Sequence, residues 1–197
     1  MEQVTATVDD LWCRAAELHA AGCETEAAGE LQRILALTGD PRAAYALAVA
    51  RIKAGDDLDD ARALLMAARA RTPRDVDIAL LLAAIDVQTG RDQHALAVLE
   101  PHADSPDPNP EALYLLAAAH MRLGHYATAL ALVDRALAIR YSHAGQHYLA
   151  LLVRLTAPFR DNEAQRERRR EHVAWLEYNA PHLLADEALR ATVFEAE

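Results

Sequence analysis

The residues from Pro110 to Ala138 read PEALYLLAAAHMRLGHYATALALVDRALA. Leu113, Leu116 and Ala117 recur at the spacing of one helical face, and Leu123-Gly124-His125 then interrupts the run. A second run follows at Ala129, Leu130, Val133, Ala136 and Leu137. The spacing predicts two helices joined at one glycine. Working outward, three more glycines have the same surroundings. Gly22, Gly55, Gly90 and Gly124 are spaced 33, 35 and 34 residues apart. Each follows an apolar helical stretch and is itself followed by a polar turn and an alanine: Ala27, Ala61, Ala95 and Ala129. The longer spacing has a visible cause, because GDDLDDA at Gly55 to Ala61 carries one residue more than GHYATA at Gly124 to Ala129.

A period near 34 residues, with a helix, a turn and a second helix in each copy, resembles the tetratricopeptide (TPR) repeat. The resemblance covers about residues 7 to 157. It implies an all-α, right-handed solenoid of helix-turn-helix repeats, at about 7–40, 41–73, 74–109 and 110–142, with a partial fifth over 143–157. The remaining residues, 158–197, are expected to be C-terminal capping helices, because the end of a solenoid exposes an apolar face.

The individual segments carry their own signals. Asp9 or Asp10 is a candidate cap for the first helix, ahead of Leu11, Trp12, Ala15 and Leu18. Gly39-Asp40-Pro41 is a helix stop followed by a new start. Pro101, followed by His102, is expected to shorten the second helix of the third segment. A helix is expected from His143 to Leu155 and another from Asp161 to Tyr178, started by Asp161 or Asn162. A last short helix is expected from Leu183 to Phe194.

Composition narrows the class of function. Hydrophobic residues make up 52% of the 197 and aromatics only 5%, so the apolar content is mostly the helix formers Ala and Leu. A formal charge of -10 argues against a nucleic-acid partner. No uncharged apolar run reaches the length of a membrane span. The first residues, MEQVTATVDDLW, have neither a basic start nor an apolar core, so a secretory leader is not expected. Cys13 and Cys23 are too few for a disulfide framework and are expected to be reduced, in a cytoplasmic protein. Lys53 is the only lysine in an Ala- and Arg-rich chain, a composition that correlates with bacterial origin.

The TPR resemblance also implies a binding groove lined by the first helix of each repeat. Counting back from each loop glycine, the groove positions hold Trp12, Tyr45, Leu80, Tyr114 and the equivalent Tyr148 at the first place. Val49, Ala118 and Leu152 stand at the second, and Ile52, Val87 and Met121 at the third. This apolar ladder suits a peptide or helix with apolar anchors. TPR domains that hold carboxylate tails of heat-shock chaperones use Lys, Asn and Arg there; the matching places here are Tyr45, Val49, Tyr114 and Ala118, so no such clamp is expected. In apolar character the groove is similar to that of bacterial TPR chaperones and adaptors. Arg42, Lys53, Gln88 and Arg122 are expected on its rim. The alternatives are that the same residues are core, or that the helix ending at Tyr178 lies in the groove with Trp175 and Tyr178 as anchors.

The remaining candidates are slight. His143 and His147 have the i, i+4 spacing of a metal pair but no third ligand in their helix. His120 and His125 flank Gly124, and Arg166, Arg168, Arg169 and Arg170 are interleaved with glutamates that can pair with them. No catalytic motif is present, and no cofactor or metal is expected. The chain is read as a non-enzymatic interaction module; the rival is a scaffold that associates with itself or a subunit of a larger assembly.

Overall fold

The computed structural model describes residues 7–103, 106–141, 143–157 and 163–185. Among these residues the secondary structure is entirely helical. They divide between two compact units, 1–89 and 90–197.

The first unit holds α1 (Val8–Ala20), α2 (Glu24–Thr38), α3 (Pro41–Ala54), α4 (Leu58–Arg71) and α5 (Val76–Gln88), each packed on the next in sequence. Sequence determines most of the boundaries. Thr7 caps α1 through its side chain, and Asp10 returns a bond to the Thr7 backbone, forming a reciprocal box. The expectation of an aspartate cap is thereby corrected: Asp10 is the partner and Thr7 the cap. Gly39 closes α2 in the left-handed region at φ 61, Asp40 caps α3, and Pro41 occupies its first turn. Asp57 and Asp75 cap α4 and α5 in the same way as Asp40.

The second unit holds α6 (Asp92–Ala103), α7 (Pro110–Arg122), α8 (Tyr126–Ile139), α9 (Ala144–Thr156) and α10 (Glu163–Asn179), followed by a 3-10 turn at Pro181–Leu184. Pro101 lies inside α6 and does not end it at once; the helix runs two residues further. It still stops at 12 residues, where α4 and α8 reach 14. Asp161 and Asn162 lie outside the described residues, as does most of the stretch expected to be a last helix; Leu183 and Leu184 belong to the 3-10 turn.

Two repeated features carry the architecture. The loop glycines Gly22, Gly55, Gly90 and Gly124 all have positive φ, between 75° and 85°. An L side chain rarely adopts that conformation, so glycine recurs wherever a first helix must turn back into a second. The alanines that follow, Ala27, Ala61, Ala95 and Ala129, are each 0% exposed. A single methyl lets neighbouring helices approach closely, and a larger group there would be overpacked. Around these contacts the first core gathers Leu11, Leu31, Ile34 and Leu47. The second gathers Ala117, Val133, Leu137, Leu149 and Val153, with a further cluster of Leu151, Val173, Leu176, Ala180 and Leu184 between α9, α10 and the 3-10 turn.

Candidate binding site

In the first unit, α1 and α3 form the walls of an open pocket of about 250 Å³, with Leu31 of α2 at its base. Trp12, Ala16 and His19 come from α1, and Tyr45, Ala46 and Val49 from α3. The helices put them there by periodicity: Trp12, Ala16 and His19 follow one face of α1, and Tyr45 and Val49 one face of α3. The Trp12, Tyr45 and Val49 side chains are half-buried, so each is held from below and open above. Burial raises the Tyr45 hydroxyl above its ordinary pKa, and Asp77 and Asp75 add to the shift. The phenol is therefore neutral at physiological pH, and the wall it forms is uncharged.

The other expected groove residues of the two units are half-buried as well. Ile52 lies on α3, Leu80 and Val87 on α5, Tyr114, Ala118 and Met121 on α7, Tyr148 and Leu152 on α9. Tyr114, Ala118 and Met121 pack against the second unit's core. The Tyr114 ring lies 6.0 Å from that of His143. Burial raises the Tyr114 hydroxyl, helped by Glu111 and Tyr148. Tyr148 packs with Trp175 against the cluster under α10. Trp175 is therefore seated on α9, whereas Tyr178 is 89% exposed and anchors nothing among the described residues.

The basic residues expected on a groove rim each have an acidic neighbour. Arg42 donates to Asp40 at 2.8 Å, Lys53 Nζ lies 3.8 Å from Glu24 and 3.2 Å from His19, and Arg122 donates to Asp92 at 3.0 Å. Gln88 is exposed at the end of α5. The Arg42 guanidinium, by hydrogen bonding, holds Asp40 below its ordinary carboxylate range. On α10, Arg166 and Arg170 reach Glu163, and Arg168 reaches Glu171.

Three polar contacts were not anticipated from sequence. Arg62 of α4 donates to the fully buried carboxylate of Asp86 on α5 at 2.6 Å. Arg154 of α9, nearly buried, donates to Asp134 of α8 at 2.9 Å. Finally, His147 of α9 and His172 of α10 face each other, Nδ1 to Nδ1, at 3.0 Å. The Trp175 ring lies on His147 at 4.1 Å, within 5° of parallel. The signals were present as polar letters in apolar runs: Asp86 in IALLLAAIDV, Arg154 in LLVRL, His172 beside Val173 and Leu176. His147 turns both nitrogens to His172 and the Tyr141 carbonyl, not to a site shared with His143. Among the described residues no group of three metal-ligating side chains converges. His120 and His125 lie Nδ1 to Nδ1 at 3.2 Å on the surface, and Cys13 and Cys23 are free thiols. No described helix is long and apolar enough to cross a membrane.

No protein-family profile matches the chain, and neither does any curated protein. Solved structures do match. The "MamA RS-1 ArsTM double mutant" is 15% identical with a TM-score of 0.78, covering 88% of this chain and 97% of its own. MamA from Desulfovibrio magneticus RS-1, from residue 41 to its end, is 14% identical with a TM-score of 0.71, covering 91% and 97%. TTC0263, a thermophilic TPR protein of Thermus thermophilus, is 21% identical with a TM-score of 0.63, covering 96% and 98%. Such identities speak for the fold, and they agree with the glycine period, the paired helices and the buried alanines. The chain is an all-α protein with the tetratricopeptide-repeat fold.

Proposed function

We propose that this protein is a non-catalytic interaction module that holds a peptide or helix of a partner protein, as a chaperone or adaptor, with apolar anchors seated between α1 and α3. The open apolar pocket bounded by Trp12, Ala16, Tyr45 and Val49 carries the reading. Its walls are held by the core, so little ordering is required before a ligand enters. The uncharged floor favours aliphatic or aromatic anchors over a carboxylate. Arg42 and Lys53 already have acidic neighbours, which leaves the rim to orient a ligand more than to attract one. Tyr114, Ala118 and Met121 would contribute a second surface in the other unit. The reading includes a cytoplasmic location, in keeping with two free thiols.

A peptide library displayed on phage tests the proposal. Panning against the protein should enrich sequences with two or more bulky apolar residues. Their affinity should fall about 10- to 100-fold in Trp12→Ala and in Tyr45→Ala, because truncating an anchor residue at a contact typically costs about 1–3 kcal/mol. Far-UV circular dichroism should be unchanged, since neither ring is fully buried. Enriched peptides that bind the Trp12→Ala, Tyr45→Ala double variant as tightly as the parent would remove the pocket from consideration. A self-associating scaffold is the second reading, favoured by the exposed Leu37, Met66, Ile139, Tyr141 and Tyr178. A mass that rises with concentration in sedimentation would support it.

A further inference from the structure

His147 and His172 are the two most thoroughly enclosed histidines of the second unit, at 0% and 6% exposure. Their hydrogen-bond partners determine where the protons sit. His147 Nε2 lies 2.6 Å from the Tyr141 carbonyl, which can only accept, so His147 carries its proton on Nε2. A neutral His147 then offers a bare Nδ1. His172 Nδ1, 3.0 Å away, must donate to it. A neutral His172 is left with a bare Nε2, and that atom is buried without a hydrogen-bond partner among the described residues. One proton thus bridges the two rings, and both tautomers are specified.

Adding a proton to this arrangement leaves it one place to go. His147 Nε2 and the bridge are occupied, so whichever ring is written as the cation, the additional N–H is on His172 Nε2. That N–H would be buried with no acceptor among the described residues, a costly condition for a charged donor. A second added proton would set two N–H groups against each other across the bridge. The surroundings resist protonation too. Facing the pair are His143 just before α9, Arg154 on α9, Arg168 on α10, the Trp175 ring and the Tyr141 carbonyl; Arg154 is itself paired with Asp134 of α8. No carboxylate meets either imidazole among these contacts.

We infer that the His147–His172 bridge is an acid-sensitive latch that holds α10 on α9 when both rings are neutral and releases it when the pair is protonated. Release removes the cover over Leu151 and frees Trp175 from the His147 ring. The pKa directions agree. Burial, then Arg154, His147 and Arg168, lower His172 from 6.5 to about 3, and burial chiefly lowers His147. A released His172 regains an ordinary affinity for protons. The docked form is therefore fully favoured above about pH 6.5, and each pH unit below it shifts the equilibrium toward release by up to about tenfold per proton taken up.

The chain has two tryptophans, so Trp12→Phe leaves Trp175 as the sole reporter. In that full-length background, Trp175 emission should move to longer wavelength, reversibly, as pH falls from about 7.5 toward 4.5. His172→Gln keeps a donor for His147 Nδ1 and cannot titrate, so its emission should stay constant over the same range. Imidazole nitrogen NMR of the unsubstituted protein at neutral pH should show His147 protonated at Nε2 and His172 at Nδ1, a reading independent of how any variant folds. Emission independent of pH, a His172→Gln profile matching that of Trp12→Phe alone, or a His172 protonated at Nε2 near neutrality would each overturn the latch.

Discussion

At Asp86 a carboxylate lies with no exposed surface inside α5, and Arg62 reaches it from α4 at 2.6 Å. Such pairs add little over an apolar core of equal volume, but removing one member takes a charged partner from a buried group that water cannot reach. Arg62→Ala should therefore destabilise the protein by about 3 kcal/mol in urea unfolding, far more than an ordinary surface arginine. A loss under about 1 kcal/mol would mean that Asp86 is satisfied without Arg62. Residues such as Leu11, Leu113 and Val133, each 0% exposed, were readable as core from helical spacing. Asp86, Arg154 and His172 were not, because periodicity reports on faces. A polar residue on an apolar face declares that a partner exists without saying where. The same limit applied to Trp12 and Tyr45: spacing put them on one face of their helices, while the half-burial that makes a pocket wall depends on how α1 and α3 pack.

Among the elements, the turn between paired helices was the most legible feature and makes the simplest prediction. Gly124 has φ 79, and a Cβ added there would meet nothing within 4 Å. The penalty for Gly124→Ala is thus purely one of backbone conformation, about 1 kcal/mol, read as a lower urea midpoint with an unchanged slope. Gly90 differs, since its added Cβ would also come within 3.3 Å of Arg122 Nη2. The start of α3 was legible at Asp40-Pro41, and the structure shows Asp57, Asp75 and Asn109 capping α4, α5 and α7 by the same side-chain bond. One boundary misled, and one proline left a short helix as expected. Thr7 outcompeted the aspartates because Asp10 was needed to complete the box. Pro101 was tolerated near the end of α6, where the helix had only two residues left to lose.

At the scale of the whole molecule, the two units carry different sensitivities. The first has a core of alkyl groups beside the buried Arg62–Asp86 pair, and the second includes two buried neutral histidines. Because the unfolded chain takes up protons at His172 below pH 6.5 and the native chain does not until about pH 3, stability must fall as pH drops through that window. Urea midpoints should be level above pH 7.5 and should decline below pH 6.5, with a slope of at most about 1.4 kcal/mol per pH unit for this group. His172→Gln should flatten the decline, and a midpoint indifferent to pH between about 6.5 and 4.5 would show that burial does not disfavour the cation. The glycine period made the repeat architecture visible from four positions. The relation of α10 to α9 was not visible, because it rests on one ring stacked on another across 28 residues of sequence, from His147 to Trp175.

Lys53 has a practical consequence. It is the single lysine of the chain, it is exposed, and its amine is 3.2 Å from His19, which lines the pocket between α1 and α3. Apart from the chain's own α-amine, an amine-selective acylating dye has one amine to find, and it stands at the edge of that pocket. A solvatochromic label on Lys53 turns the unmodified sequence into an optical gauge of pocket occupancy, with no engineered cysteine and no need to know the ligand beforehand.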